Sequence, residues 1–382
     1  MRVGLKCDRI VLSDKLFCGY VYLENGMITE VSELEMPCDL QYDFTGKYLA
    51  PGLIDLHTHG AGGYPFIECT PEDVAMGCDF HLKHGTTTIL PTVSAAPFET
   101  MRAAVASISV AKQKGMTGAN IIGAHMEGPY LSAAQCGAQP PEFITPPIEE
   151  EYRALVAEYG VDIARWTYAP ESDPEGRFAR FLCEHGILAS AGHTDAKYPD
   201  MKTAEDAGMN LITHLYSCTS TVTRDHGFRS LGVIESAYLL DGLYVEIIAD
   251  GKHLPPELIR MIVKIKGADK VAVVTDSMQI AGIDVERGEL GGIRYIVEDG
   301  VCKLYDRSAF AGSIATADRL IRVLTRDCGF DIAMAVRMMS EVPASLLKCK
   351  KGSIRCGYDA DVIVFDDEIK VTDVFVGGDK KI

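Results

Sequence analysis

Two histidines, His57 and His59, close the apolar stretch YLAPGLIDLHTHG. In an extended segment residues i and i+2 point to the same face. Both imidazoles can therefore address one object, and imidazole is a common metal ligand. Read alone, the spacing also fits two incidental loop histidines. Other reactive groups share the setting, each at the end of a short apolar run: Glu127 in NIIGAHMEGP, His193 in GILASAGHTDA, His214 in NLITHLYS, Asp250 in YVEIIADG and Asp276 in KVAVVTDSM. Imidazole mixed with carboxylate suits one or two divalent ions such as zinc, iron or manganese. A thiolate-rich site is not indicated, because only Cys218 falls at a comparable position. Asp276 has a distinct use. A divalent ion lowers the pKa of water toward neutrality, and a nearby carboxylate can take that proton and return it to a leaving group. The competing reading of Asp276 is a helix N-cap before SMQIAG.

Groups so far apart in sequence act together only if one scaffold carries them to one end. From about residue 51 to 346, eight buried-looking runs recur: LIDLHTHG, GTTTILPT, NIIGAHMEGP, RWTYAPE, GILASAGHTDA, NLITHLYS, YVEIIADG and KVAVVTDSM. Helix-like stretches separate most of them, at 70–84, 96–115, 149–159, 173–185, 198–208 and 255–266. Thr70 and Asp173 are candidate N-caps, each followed by proline, and both stretches close on glycine. Strands alternating with helices predict a parallel sheet, closed as a (β/α)8 TIM-type barrel. Catalytic groups in such barrels come from the C-terminal strand ends, and His57, His59, Glu127, His193, His214 and Asp276 then sit on strands one, three, five, six and eight. A doubly wound open sheet is the alternative, but no glycine-rich dinucleotide fingerprint follows the first strand. The two chain ends carry short β-type runs (RIVLS, GYVYLENGMITEVSE, ADVIVFD, KVTDVFVGG). Neither end supplies enough strands for a core of its own. The expectation is one small β-domain from residues 1–50 plus 347–382, enclosing a barrel of residues 51–346.

A chain of 382 residues, 47% hydrophobic and 24% charged, buries a large core. Its net charge of −17 disfavours nucleic acid and anionic membrane as main partners, while leaving room for a small anionic substrate. No signal-type or membrane-spanning apolar run is present in the sequence. Twelve cysteines without CxxC pairs suggest reduced thiols, and a cytoplasmic location is expected.

The motifs PGLIDLHTHG, HMEGPYLS, GAQPPEF, SAGHTDA, THLYS, IADGKHL, VTDSM and AGS, in that order, resemble the N-acetylglucosamine-6-phosphate deacetylase family of the amidohydrolase superfamily. The resemblance covers about residues 50 to 313, and it implies a small β-sandwich domain built from both chain ends. It also implies hydrolysis of the acetamide of N-acetylglucosamine 6-phosphate. By the family pattern Glu127, His193 and His214 hold the main ion, His57 and His59 a second, and Asp276 acts as general base and acid. The implied substrate contacts are Ala138, Gln139, Ser217, Cys218, Arg224, His253, Phe310, Ala311 and Gly312. Some relatives have histidine where Gln139 stands. YSCT replaces the usual YNAM after His214, and RDHG, with Arg224 and with Arg229 nearby, replaces REPG. These departures gather at the phosphate end, so an epimer such as N-acetylgalactosamine 6-phosphate is an alternative substrate. Another amidohydrolase activity is disfavoured because the fourth strand, RWTYAPE, lacks the lysine that many such enzymes carboxylate. A non-catalytic barrel would be expected to lose one of the site groups, and none is missing. The family also implies a homodimer.

Overall fold

A computed structural model describes residues 1–290 and 293–382. Eight parallel strands form its centre: β1 (Leu53–Thr58), β2 (Thr86–Ser94), β3 (Ala124–Glu127), β4 (Ile163–Tyr168), β5 (Leu188–Ala191), β6 (Leu211–Ile212), β7 (Tyr244–Ile248) and β8 (Val271–Val274). Each pairs with the next in order. The ring closes just past the ends of β1 and β8. There the Asp276 N–H donates to the His57 carbonyl at 2.9 Å and the His59 N–H to the Ser277 carbonyl at 2.7 Å. Beneath this seam the buried Asp55 carboxylate accepts from the Thr275 hydroxyl at 2.6 Å. The barrel expected from the alternating pattern is therefore present, and its seam sets His57 and His59 beside Asp276.

The outer helices include α1 (Pro71–Lys83), α2 (Phe98–Gln113), α3 (Glu149–Tyr159), α4 (Arg177–Glu184), α5 (Tyr198–Asp206), α6 (Val233–Leu239), α7 (Pro256–Lys266) and α8 (Ala317–Arg322). Thr70 caps α1 as expected: its hydroxyl accepts from the Asp73 N–H at 3.2 Å, and the Asp73 carboxylate accepts from the Thr70 N–H at 2.9 Å. The helix expected from Asp173 onward starts later, at Arg177. A turn at 174–175 and left-handed Gly176 (φ 63°) intervene. Asp173 still serves that terminus from outside, accepting from the Ala179 N–H at 3.1 Å. Buried Trp166, Tyr130, Phe178 and Tyr152 interlock between strands and helices, with Tyr130 stacked on Trp166 at 5.7 Å. Aromatic burial of this kind stabilises the β4–α3–α4 corner.

Both chain ends enter a second sheet, in the order 379–380, 371–376, 362–365, 48–51, 3–11, 16–24, 27–32, with 40–43 parallel to 3–6. Residues 362–365 lie antiparallel to 48–51, pairing Val364 with Leu49, so the last strands are fastened to the segment that leads into β1. Its own core contains Leu5, Ile10, Val21, Leu23, Val362, Val364 and Phe375. Two further insertions stand on the barrel: an exposed hairpin pairing Thr223–Asp225 with Phe228–Ser230, and a three-stranded sheet within 287–304. Among the described residues, no helix is long and apolar enough to cross a membrane.

Candidate metal and catalytic site

Three residues of the site share one local solution. His193, His214 and Asp276 each lie two positions beyond the last residue of β5, β6 and β8, and each has positive φ (46°, 28° and 46°). Left-handed backbone is costly for non-glycine residues, of order 1–3 kcal/mol, and His and Asp are among the side chains that adopt it most often. The turn ends each strand abruptly, and the three side chains line the cleft above the barrel. Asp276 is thus not the cap of a helix; the residues directly after it form a bridge and turns.

The six groups meet in two triangles, and Glu127, a corner of the first, also reaches the second: its Oε1 lies 3.3 Å from His57 Nε2 and its Oε2 3.2 Å from His59 Nε2. In one, Glu127 Oε1 lies 3.1 Å from His193 Nε2 and 3.1 Å from His214 Nε2, and the two nitrogens are 3.2 Å apart. In the other, His57 Nε2 and His59 Nε2 are 3.3 Å apart and lie 3.4 and 3.3 Å from Asp276 Oδ1. A tetrahedral ion with bonds of about 2.0–2.1 Å has ligand–ligand edges of about 3.3–3.4 Å, which both triangles approach. The second ring nitrogens show why the inward ones are lone pairs. His193 Nδ1 donates to the Gln135 carbonyl (3.0 Å), His214 Nδ1 to the Ser217 carbonyl (3.0 Å), His57 Nδ1 to Glu246 (2.8 Å), and His59 Nδ1 meets the Ser94 hydroxyl (2.9 Å). Partners of this kind fix the tautomer and orient a metal-binding imidazole. Converging lone pairs and a shared carboxylate repel one another unless a cation lies among them, so this donor set fits a divalent ion.

Charge points the same way. Glu127, Glu246 and Asp276 are all buried, and the one arginine among them, Arg165, is committed to Glu246. Burial opposes the charged form of His57, yet Glu127, Asp276 and Glu246 hold its pKa up to about 10. Burial likewise works against the Asp276 carboxylate, but His57 and His59 bring it down to about 2. Metal binding to such a set replaces protons on the imidazoles. His125 and His81, also buried, differ: burial drives both down, His81 to about 4. His125 bonds to the Thr92 and Thr167 hydroxyls, which makes it an interior hydrogen-bonding group.

A cleft of about 430 Å³ opens over the triangles. Ala138, Gln139, Ser217, Cys218, His253 and the Phe310–Gly312 turn all line it. His253 Nδ1 is held by Asp250 at 2.9 Å, which leaves Nε2 as its free nitrogen, and its ring packs against Phe310 at 4.8 Å. Gly312 needs to be glycine: its φ is 67°, and a Cβ would lie 2.9 Å from the Asp276 carbonyl. Arg224 is not brought to this wall. It stands with Arg229 on the exposed hairpin, and among the described residues no lysine or arginine lines the cleft. Three groups bonded to the triangles escaped the sequence reading: Glu246, Ser94 and, through Glu246, Arg165. Lone charges inside apolar strands, YVEIIADG and RWTYAPE, were the available signal for two of them.

The amidohydrolase family profile matches residues 48–381. The chain is 32% identical to N-acetylglucosamine-6-phosphate deacetylase of Bacillus subtilis (strain 168), over 92% of this chain and 90% of the relative. It is 29% identical to N-acetylgalactosamine-6-phosphate deacetylase of Shewanella sp. (strain ANA-3), over 97% and 90%. Its fold matches a solved structure of N-acetyl-D-glucosamine-6-phosphate deacetylase from Mycobacterium smegmatis, an aspartate-to-alanine variant in complex with N-acetyl-D-glucosamine-6-phosphate. That match has a TM-score of 0.92 and 26% identity and covers 99% of each chain.

Proposed function

We propose that this chain, which belongs to the amidohydrolase family and within it to the N-acetylglucosamine-6-phosphate deacetylases, hydrolyses N-acetylglucosamine 6-phosphate to glucosamine 6-phosphate and acetate. The observation that carries this reading is the Asp276 carboxylate set against a shared Glu127 and four inward imidazoles at the floor of one cleft.

Glu127, His193 and His214 would hold the main ion; His57 and His59, with Asp276, form the second place. Zinc, iron and manganese all suit these donors. A divalent ion there supplies polarisation of the amide carbonyl and acidification of water. The remaining work falls to the protein. Asp276, ionised at neutral pH, accepts a proton from water as its oxygen adds to the acetyl carbon. When the C–N bond breaks, the same carboxyl returns the proton to the departing nitrogen, leaving acetate and the free amine. His253, held by Asp250, presents Nε2 to the sugar. Ala138, Gln139, Ser217, Cys218 and the Phe310–Gly312 turn bound the ring.

A phosphate dianion calls for a cation, and the cleft offers none from its own described residues. We therefore read the molecule as a homodimer in which the hairpin carrying Arg224 reaches the partner's cleft. Phe228 at the same hairpin is 80% exposed, which suits an element that finds its packing elsewhere. We take residues 1–50 with 347–382 as the small domain and 51–346 as the catalytic barrel. All twelve cysteines are free, in keeping with a cytoplasmic enzyme. N-acetylgalactosamine 6-phosphate is kept as a second reading because of the Shewanella relative.

Acetate release from N-acetylglucosamine 6-phosphate, its C4 epimer and unphosphorylated N-acetylglucosamine tests the substrate. The phosphorylated gluco sugar is expected to be fastest, and equal rates with and without phosphate would remove the Arg224 assignment. Chelation should abolish turnover and added divalent ion restore it. Asp276→Asn should retain the main ion at Glu127, His193 and His214 while kcat falls by about 10²–10⁴-fold; an unchanged kcat sinks the mechanism.

A further inference from the structure

Glu127 has two oxygens and more than two claimants. Oε1 faces His193 and His214 and also lies 3.3 Å from His57 Nε2. Oε2 faces His59 Nε2 at 3.2 Å and also accepts a hydrogen bond from Gln139 Nε2 at 2.7 Å. The Gln139 amide cannot be the other way round, because its own Oε1 accepts from the Ala95 N–H at 2.9 Å, and a backbone N–H only donates. Gln139 is buried, so the bridge from Ala95 through the amide to Glu127 is screened from water. An oxygen with a second lone pair is not barred from an ion by this bond. The bond does draw on its basicity, and it sets an amide nitrogen whose hydrogens carry partial positive charge beside the His57–His59–Asp276 triangle. Among the described residues no amide donor reaches Oε1, so the two oxygens of Glu127 are unequal although the edges of the triangles are alike.

We infer that Gln139 governs how many divalent ions this chain holds. The ion at Glu127, His193 and His214 binds tightly, while the second, at His57, His59 and Asp276, binds weakly because Gln139 competes for Oε2, the Glu127 oxygen beside His59. The same loop, residues 132–147, also supplies the Gln135 carbonyl to His193 Nδ1. Filling the second place thus releases one of the loop's two attachments to the metal centre, and ion count is tied to loop freedom. Gly137, two residues before Gln139, allows that close seat: its φ is 59°, and a Cβ would lie 2.4 Å from Cys218 Sγ. This inference rests on the metal centre of the proposed function but not on the substrate.

The test is a titration of chelator-stripped full-length protein with zinc, read by a competing chromophoric chelator and by elemental analysis of the loaded protein. Wild type should bind in two steps whose affinities differ by at least about tenfold. Gln139→Leu should tighten the second step by about 10–100-fold, the usual scale for a group one bond removed from an ion, and leave the first unchanged. Gln139→Glu keeps an acceptor for the Ala95 N–H and should also tighten the second step, so it serves if the leucine variant unfolds. Hydrogen exchange of the 132–147 amides should rise as the second equivalent of zinc is added to wild type. A second step of equal affinity in wild type and either folded variant overturns the inference, as does the absence of any second step in all three. Neither result depends on sugar turnover, which is measured separately on wild type.

Discussion

Arg165 and Glu246 lie at the centre of the barrel, both fully buried, and join each other by a short ion pair. Arg165 also reaches Thr213 (2.8 Å), Ser190 (3.1 Å) and the Leu56 carbonyl (3.2 Å), so its donors are well used. Glu246 passes the arrangement on to His57 Nδ1 and to the His214 N–H (3.2 Å). Burial alone would raise the Glu246 pKa, but Arg165 and then His57 bring it to about 2, so it stays ionised. Removing one member of a buried pair strands the other's charge. Arg165→Met should cost about 3–5 kcal/mol in the metal-free protein. Arg165→Met with Glu246→Gln should recover much of that loss, and a urea-unfolding double-mutant cycle measures the coupling. Additive losses would show that the pair does not act as a unit.

At the scale of elements, strand ends and helix starts position the chemistry, and several can be probed away from the site. Asp318, near the start of α8, accepts from the Thr316 hydroxyl (2.6 Å) and Arg322 (2.9 Å) and meets His84 Nδ1 (3.1 Å). Burial raises its pKa, while His84, Thr316 and Arg322 together lower it, from 3.8 to about 2. A depressed folded-state pKa contributes stability that is complete above the unfolded value and is lost as pH falls through the folded one. Asp318 should therefore contribute about 2 kcal/mol above pH 4. The Tm gap between wild type and Asp318→Asn should shrink as pH falls from 4 toward 2. A gap independent of pH over that window would mean the carboxylate's charge is not what α8 uses. The late start of α4 belongs to this scale too. Asp173 and Pro174 are sound start signals, but a turn at 174–175 and left-handed Gly176 moved the first helical residue to Arg177.

Across the whole molecule, barrel closure and subunit pairing govern what the site can be. The β1–β8 seam brings together residues 57 and 276, which no local rule connects. Arg224 raises the same issue between subunits. If the hairpin completes a partner's cleft, Arg224→Ala protein and Asp276→Asn protein should each turn over poorly alone. Mixed after dissociation, they should form heterodimers with one complete site, recovering about a quarter of wild-type activity per subunit at random pairing. That estimate counts the mixed dimers as about half of all dimers, each with one working site of two, under mass-action assembly. No recovery on mixing would place Arg224 outside the phosphate site. The expected KM for N-acetylglucosamine 6-phosphate in Arg224→Ala rises more than kcat falls.

The sequence by itself determined the barrel and which side chains stand at its working end. A run of apolar residues ending in His, Glu or Asp recurs with helical spacers between the repeats, and period and position suffice because strand ends in a closed parallel barrel converge. His57, His59, Glu127, His193, His214 and Asp276 were legible in that way, and the cap at Thr70 was legible from residue type. Only the tertiary structure decided how those groups share their atoms. Glu246 sits 189 positions from the His57 it orients, Gln139 claims an oxygen of Glu127, and Arg224 stands off the cleft on a hairpin. Each depends on where one side-chain atom ends after long-range closure, and spacing along a chain carries no such information. The two histidines that close YLAPGLIDLHTHG announce a metal site, while the hydrogen bond from Gln139 bears on how fully their side of it is filled.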